Sequence, residues 1–219
     1  MYKRYFKCGA PAASFVPASP GDAADGCTLR VVIAPVVRVD KEDFSMRPVV
    51  ICDFDDVLAV HQEHNSFKVL AAFESTALDD VPSLWKYLFD ASACKNLKTL
   101  HDEFFPEYVV SSSWTSFLDR EQICEVLRRT GLGFVVENFH QDWCTPREDD
   151  SYRLTEIEGW LEMHTLGTSR PYVILDDLMS GQSIQGSHLE ERAVLCDVWV
   201  GFTYPKLRSA QKILRREPR

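Results

Sequence analysis

The stretch Val49-Val50-Ile51-Cys52-Asp53-Phe54-Asp55-Asp56-Val57-Leu58-Ala59 decides more than any other part of the 219-residue chain. An apolar run, Val49 to Cys52, stops abruptly at two carboxylates, Asp53 and Asp55, with one residue between them. A short apolar run that ends at polar residues reads as a buried parallel strand. In open α/β sheets, ligands bind just beyond the carboxyl ends of such strands. Two acids placed there suggest a metal site, a carboxylate nucleophile, or both.

Outward from this stretch the pattern alternates. Residues 84–105 carry apolar side chains at helical spacing (Leu84, Leu88, Leu97, Leu100, Phe104), which predicts a helix. Residues 108–110 predict a strand, and 119–129 a helix with Ile123, Val126 and Leu127 on one face and Gly131 placed to end it. Residues 134–136 form another strand candidate, 155–164 a helix, 172–175 a strand, 193–200 a further strand and 207–214 a closing helix. Strands alternating with helices imply βαβ units, a mainly parallel sheet and right-handed crossovers, an α/β fold. The main domain is expected at 47–219. Residues 1–46 read as an N-terminal extension, irregular and rich in Ala, Pro, Gly and Ser to residue 28, with a strand candidate at 29–39. Pro35 argues against a central place for that strand.

A hydrophobic content of 45% supports one sizeable domain. The net charge of −9 argues against broad, non-specific binding to nucleic acid or anionic membrane. Lys206, Arg208, Lys212, Arg215, Arg216 and Arg219 make a basic C-terminus, read as the solvated face of the last helix. The cysteines (Cys8, Cys27, Cys52, Cys94, Cys124, Cys144, Cys196) are odd in number and lack a CxxC pair. Cys52 and Cys196, inside apolar runs, are expected to be core thiols, and the set predicts a reducing compartment rather than a disulfide framework or zinc knuckle. No apolar run approaches the roughly 18 residues needed to span a bilayer, and the N-terminus has no apolar signal core. The expectation is a soluble, cytoplasmic protein with no membrane partner and no readable protein partner.

Three strands end in polar clusters: Asp53-Phe54-Asp55-Asp56, Ser111-Ser112-Ser113 before Trp114, and Asp176-Asp177. As parallel neighbours they would converge on one rim. Mg²⁺ prefers oxygen ligands and is usually held by one or two carboxylates plus substrate phosphate. Asp53 and a carboxylate from Asp176 or Asp177 supply that pair, and a cation relieves the mutual repulsion of the acids. An ionised Asp53 can attack phosphorus, and Asp55 can protonate the leaving oxygen and then activate water. A serine hydroxyl can bond a phosphoryl oxygen. Arg153, just before the helix at Thr155, can balance charge in the transition state.

Those residues carry a resemblance. Asp53-Phe54-Asp55-Asp56-Val57-Leu58 resembles the first motif of the haloacid dehalogenase-like (HAD) superfamily. Val109-Val110-Ser111 is similar to its second motif, and Val173-Ile174-Leu175-Asp176-Asp177 to its fourth. Arg153 stands where the third motif has a Lys or Arg. Ser111-Ser112-Ser113-Trp114, Arg153-x-x-Glu156-Ile157-x-x-Trp160-Leu161 and Val200-Gly201-Phe202-Thr203 narrow the likeness to the HAD domains of Swiss army knife RNA repair proteins, over residues 48–215. The resemblance implies a Rossmann-like three-layer sandwich and a Mg²⁺-dependent phosphatase. Asp53 would be nucleophile and metal ligand, and Asp55 acid/base and a ligand through its backbone carbonyl. Asp176 and Asp177 would complete the metal site. Ser111, or alternatively Ser112, would bind phosphate with Arg153. Two departures stand out: Asp56 replaces a common Gly, and no further acid follows Asp177 until Glu190.

The blander readings are these. Trp114 reads as packing rather than a base-stacking platform, and His61 and His64 as solvated loop residues. His140 and Cys144 lack further ligands for a metal. Arg147 and Arg170 compete with Arg153. Residues 59–82 leave room for a loop or small flap and not for a large cap domain. An open site suits a bulky phosphorylated substrate, including a nucleic-acid end. The alternatives are a non-catalytic binding or regulatory module on the same fold, and a nucleic-acid end phosphatase in repair.

Overall fold

The structure is a computed structural model describing residues 47–75, 78–147, 151–165 and 169–216. The expected extension at 1–46, with its strand at 29–39, lies outside the described residues. Five parallel strands, β1 (Val49–Cys52), β2 (Glu107–Val110), β3 (Phe139–Cys144), β4 (Tyr172–Asp177) and β5 (Ala193–Cys196), form one sheet in the order β3-β2-β1-β4-β5. The expected α/β fold with a parallel sheet is present. The strand order reverses direction between β1 and β4, which makes that crevice the topological switch point.

The helices are α1 (Ser66–Glu74), α2 (Pro82–Tyr87), α3 (Ala91–Phe104), α4 (Arg120–Arg129), α5 (Gly133–Glu137), α6 (Arg153–Thr165) and α7 (Tyr204–Leu214). Side chains alternate across the central strands, as the pleat requires. Val50, Cys52, Val110, Val173 and Leu175 join one core with residues of α3, α4 and α7, whereas Val49, Ile51, Val109 and Ile174 pack with Ile157 and Trp160 of α6 on the other face. A strand buried on both faces reads as a continuous apolar run, which is why β1 is so legible. Among the described residues no helix is long and apolar enough to cross a membrane. The five described cysteines are free thiols.

Three expected elements differ. The helix at 84–105 is two helices, because Asp90 accepts from the Ala93 N–H at 2.8 Å and so caps α3 after a break. Residues 134–136 belong to the short helix α5, and the strand follows it as β3. A three-residue apolar run does not separate helix from strand. β3 also hides its period, being a half-exposed edge strand whose pairing shifts register between Tyr108 and Val110. The strand at 193–200 stops at Cys196, where the Asp197 carbonyl accepts from the N–H groups of Val200 and Gly201 in a tight turn.

That turn braces the Asp53–Asp55 segment. Phe202 donates its N–H to the Val57 carbonyl at 2.9 Å, and the buried Asn96 amide donates to the Phe202 carbonyl at 2.7 Å. Gly201 has φ +78, and a Cβ there would meet Val60 Cγ1 at 2.7 Å and the Val57 oxygen at 2.9 Å. Gly131, after α4, also has positive φ (+81) but faces open space. Gly131→Ala should therefore cost only the left-handed backbone penalty, about 1–2 kcal/mol. Gly201→Ala adds a clash with backbone and should cost roughly 2–4 kcal/mol. Urea midpoints of the two variants test this, and equal losses would refute the brace.

Candidate active site

Strand register builds the site. Cys52 is level with Val110 on one side and Leu175 on the other, so the next residues out, Asp53, Ser111 and Asp176, stand in one row. Backbone bonds continue the ladder to that row: Ser111 N–H to the Cys52 carbonyl and Asp53 N–H to the Leu175 carbonyl, both 2.9 Å. All three residues are buried, as is Asp177. Asp176 and Asp177 lie inside β4 rather than beyond it, paired with Leu195 and Cys196.

The carboxylates of Asp53, Asp176 and Asp177 present oxygens within 4.8 Å of one another. Between them sits the Ser180 hydroxyl, 3.1 Å from Asp53 Oδ2, 2.8 Å from Asp176 Oδ1 and in contact with Asp177 Oδ2. A hydroxyl has one proton to donate, so it satisfies one of these oxygens and leaves the others facing each other. Burial, then the nearby Asp53 charge, push the Asp176 carboxyl well above its ordinary range. The donors are all hard oxygens, and such a set fits a hard divalent cation. Asp177 Oδ1 instead accepts from the N–H groups of Met179 and Ser180, which fixes the turn that delivers Ser180.

Arg153 opens α6 and projects its guanidinium into this cluster. It lies 3.3 Å from Asp53 Oδ2, 3.2 Å from Ser111 Oγ and 3.2 Å from Glu156 Oε2. Its Nε stands 3.0 Å from Asp176 Oδ2, an ion pair without the alignment of a hydrogen bond. The buried Glu156 also accepts from Ser151 at 2.6 Å, and Arg147 approaches it at 3.7 Å. Arg147 is thus one residue removed from the acids. Arg170 is at the other end of the strands, bonded to the Arg47 carbonyl and to Glu107. Ser111 Oγ is engaged by both Arg153 and Thr145. Ser112 Oγ is buried and has no hydrogen-bond partner among the described residues. A cavity of about 410 Å³ lies over Arg153, Glu156 and Ser180.

Asp55 points differently. Its Oδ2 accepts from the Trp114 indole N–H at 2.9 Å and from Ser113 Oγ at 3.3 Å. Burial, with Asp53 beside it, raises this carboxyl to about 6 despite those two donors. Trp114 is fully buried against Phe54 and Phe89, so it packs as expected and also aims Asp55. Asp56, the departure from the common Gly, has φ +54. Aspartate is among the few residues that accept this left-handed region. Its Oδ1 accepts from the Trp199 N–H at 2.8 Å, which pins the turn after β5 to the turn after β1. Cys52, just before Asp53, gives its thiol to the Asp53 carbonyl at 3.1 Å.

Asp53, Asp176, Asp177, Ser111 and Arg153 thus meet in one cluster, and Asp55 stands beside Asp53. Sequence reading missed Ser180 and gave Glu156 no role. The spacing Arg153-x-x-Glu156 is the usable signal for the latter, since residues three apart on a helix face each other. His61 and His64 line a separate recess. His140 groups with Asp142 and His164, without Cys144, between β3 and α6.

Among known proteins, a profile of the HAD domain in Swiss Army Knife RNA repair proteins matches residues 49–207. No curated protein and no solved structure matches the chain. The matched span contains the whole acid cluster, from Asp53 to Ser180, together with Asp55, Ser111 and Arg153. With the parallel sheet and its switch-point acids, this match makes the chain a member of the family of HAD domains found in Swiss Army Knife RNA repair proteins.

Proposed function

We propose that the protein is a Mg²⁺-dependent phosphohydrolase that works through an aspartyl-phosphate on Asp53. The observation that carries this reading is the Ser180 hydroxyl ringed by Asp53, Asp176 and Asp177, beside a guanidinium that reaches both Asp53 and Ser111. Asp53, Asp176 and Asp177, with the Asp55 backbone carbonyl implied by the family pattern, would hold the cation. When bound it offsets the negative charge of carboxylates and phosphoryl group alike.

The chain's own residues divide the rest. Arg153 and the hydroxyls of Ser111 and Ser112 hold the phosphoryl oxygens. Glu156 keeps the guanidinium in place. Asp53 attacks phosphorus, and the bond to the leaving oxygen breaks as Asp55 gives that oxygen its proton. Asp55, now ionised, takes a proton from water, and the water oxygen attacks the same phosphorus. Inorganic phosphate leaves and Asp53 is free again. A carboxyl near 6 exists in both forms around neutral pH, as both half-reactions need.

For the substrate, the reading favoured is a phosphorylated nucleic-acid end. Its supports are the family's place in RNA repair proteins and a flap limited, among the described residues between the first motif and α2, to the single helix α1. Of the two features that motivate a non-catalytic reading, Asp56 has a structural task in the Trp199 bond, and the lead-in lies outside the described residues.

Two outcomes are expected. Asp53→Asn should lower kcat for p-nitrophenyl phosphate with Mg²⁺ at least about a thousand-fold, while circular dichroism and cooperative unfolding persist. Wild-type activity should vanish in EDTA. Full activity in the variant would sink the mechanism. The second concerns Asp55. Its folded carboxyl titrates near 6 against an ordinary value of 3.8, so its ionised form disfavours the fold. That penalty is absent below about pH 4, grows as pH rises to 6 and is complete above it. In EDTA, Asp55→Asn should therefore gain stability over wild type between pH 4 and 7, by up to about 3 kcal/mol. Parallel unfolding curves across that range would refute the shift.

A further inference from the structure

Beside the catalytic turn lies a second recess, of about 420 Å³, that none of the acid-cluster residues line. Its walls are Val60, His61, Gln62, Glu63 and His64 from the segment after the turn, Tyr87 at the end of α2, and Trp199. Trp199 is 57% exposed and Tyr87 46%, whereas the core takes in Trp85, Trp114 and Trp160. Trp199 also has φ +65, a left-handed conformation that a bulky side chain rarely adopts. The Asp56 carboxylate holds it there. An exposed indole in an unfavourable backbone conformation, fixed by the neighbour of Asp55, is an arrangement that core packing does not explain.

We infer that this recess receives the nucleobase of the nucleotide bearing the scissile phosphate, stacked on Trp199 and Tyr87. The inference rests on the phosphatase reading for its orientation. Asp55 protonates the leaving oxygen, so the leaving nucleoside lies on the Asp55 side of phosphorus. The recess is on that side: its wall begins at Val60, and Trp199 is tied to Asp56. The cavity over Arg153, where the phosphoryl oxygens would be held, shares no lining residue with this recess. Aromatic faces stack any base, so the site accepts nucleic acid without choosing sequence.

Charge agrees. Lys86 stands over the Tyr87 ring at 4.8 Å, and Lys68 of α1 lines the neighbouring hollow with His64. Neither lysine has a carboxylate partner within ion-pair distance among the described residues. In a chain of net charge −9, two such cations beside an aromatic recess suit the next phosphates of a polynucleotide.

The test uses the full chain and dye-labelled trinucleotides carrying either a 3′- or a 5′-phosphate, with a phosphotyrosine peptide as the competing class. Binding is read by anisotropy in the Asp53→Asn protein, which needs no turnover. Adding Trp199→Ala should weaken binding of one trinucleotide roughly ten-fold, and Trp199→Phe should restore most of it. The arm that responds identifies the phosphate's position. Tyr87→Ala should weaken the same arm, and Tyr152→Ala, in the cavity over Arg153, should not. In the active protein, Trp199→Ala should lower the ratio of kcat/KM for that trinucleotide to kcat/KM for p-nitrophenyl phosphate roughly ten-fold. Unchanged trinucleotide binding, or an equal loss for the phosphopeptide, overturns the recess assignment. Absence of p-nitrophenyl phosphate hydrolysis in the wild type overturns the phosphatase reading instead, and the anisotropy series still decides the recess.

Discussion

Everything at the site depends on one constraint, the register of β1 between β2 and β4. Because Cys52 is level with both Val110 and Leu175, three chain segments leave the hydrophobic sheet at the same height. A slip of one residue on any strand would send its polar side chain to the wrong face. The register is strongly specified, since β1 is buried on both faces and its alternate residues belong to different cores. The apolar packing that stabilises the domain is therefore also what sets the spacing of the carboxylates.

Register gathers charge that the protein alone does not balance. Asp53, Asp176, Asp177 and Glu156 are buried, and among the described residues Arg153 is the one buried Lys or Arg. Its guanidinium is shared across Asp53, Asp176 and Glu156, so none of them has it to itself. Burying carboxylates without compensation is costly, and the upward displacement of the Asp176 and Asp55 carboxyls expresses that cost. The excess of negative charge is compatible with a bound cation, and the shared guanidinium with an anion beside it.

How much of this was legible in the sequence follows from what each residue depends on. Asp53, Ser111 and Asp176 could be read because each ends an apolar run, and aligned runs leave a one-dimensional trace. Arg153 could be read from its place at the start of a helix before β4. β3 could not, because an edge strand with a register shift has neither a continuous apolar run nor a strict alternation. Ser180 was invisible for a different reason: a serine after two acids has no signature until the turn folds it back between three carboxylates. Asp56 looked like a surplus acid because its partner, the Trp199 N–H, is 143 residues away. The one-dimensional pattern records which residues leave the sheet together, and not which loops return to brace them.

That return has a consequence for how the domain comes into being. The Asp53–Asp55 turn is near the beginning of the domain, but Ser180, which closes the acid cluster, comes 127 residues after Asp53. The brace from Gly201 and Phe202 comes later still. Chains grow from the N-terminus, and contacts between distant residues form only when both are available. The emerging polypeptide thus carries Asp53 long before the partners that order it exist. The acid cluster is completed late and nearly all at once, when the last strand and its tail dock, so a truncated chain would expose the acids without gathering them.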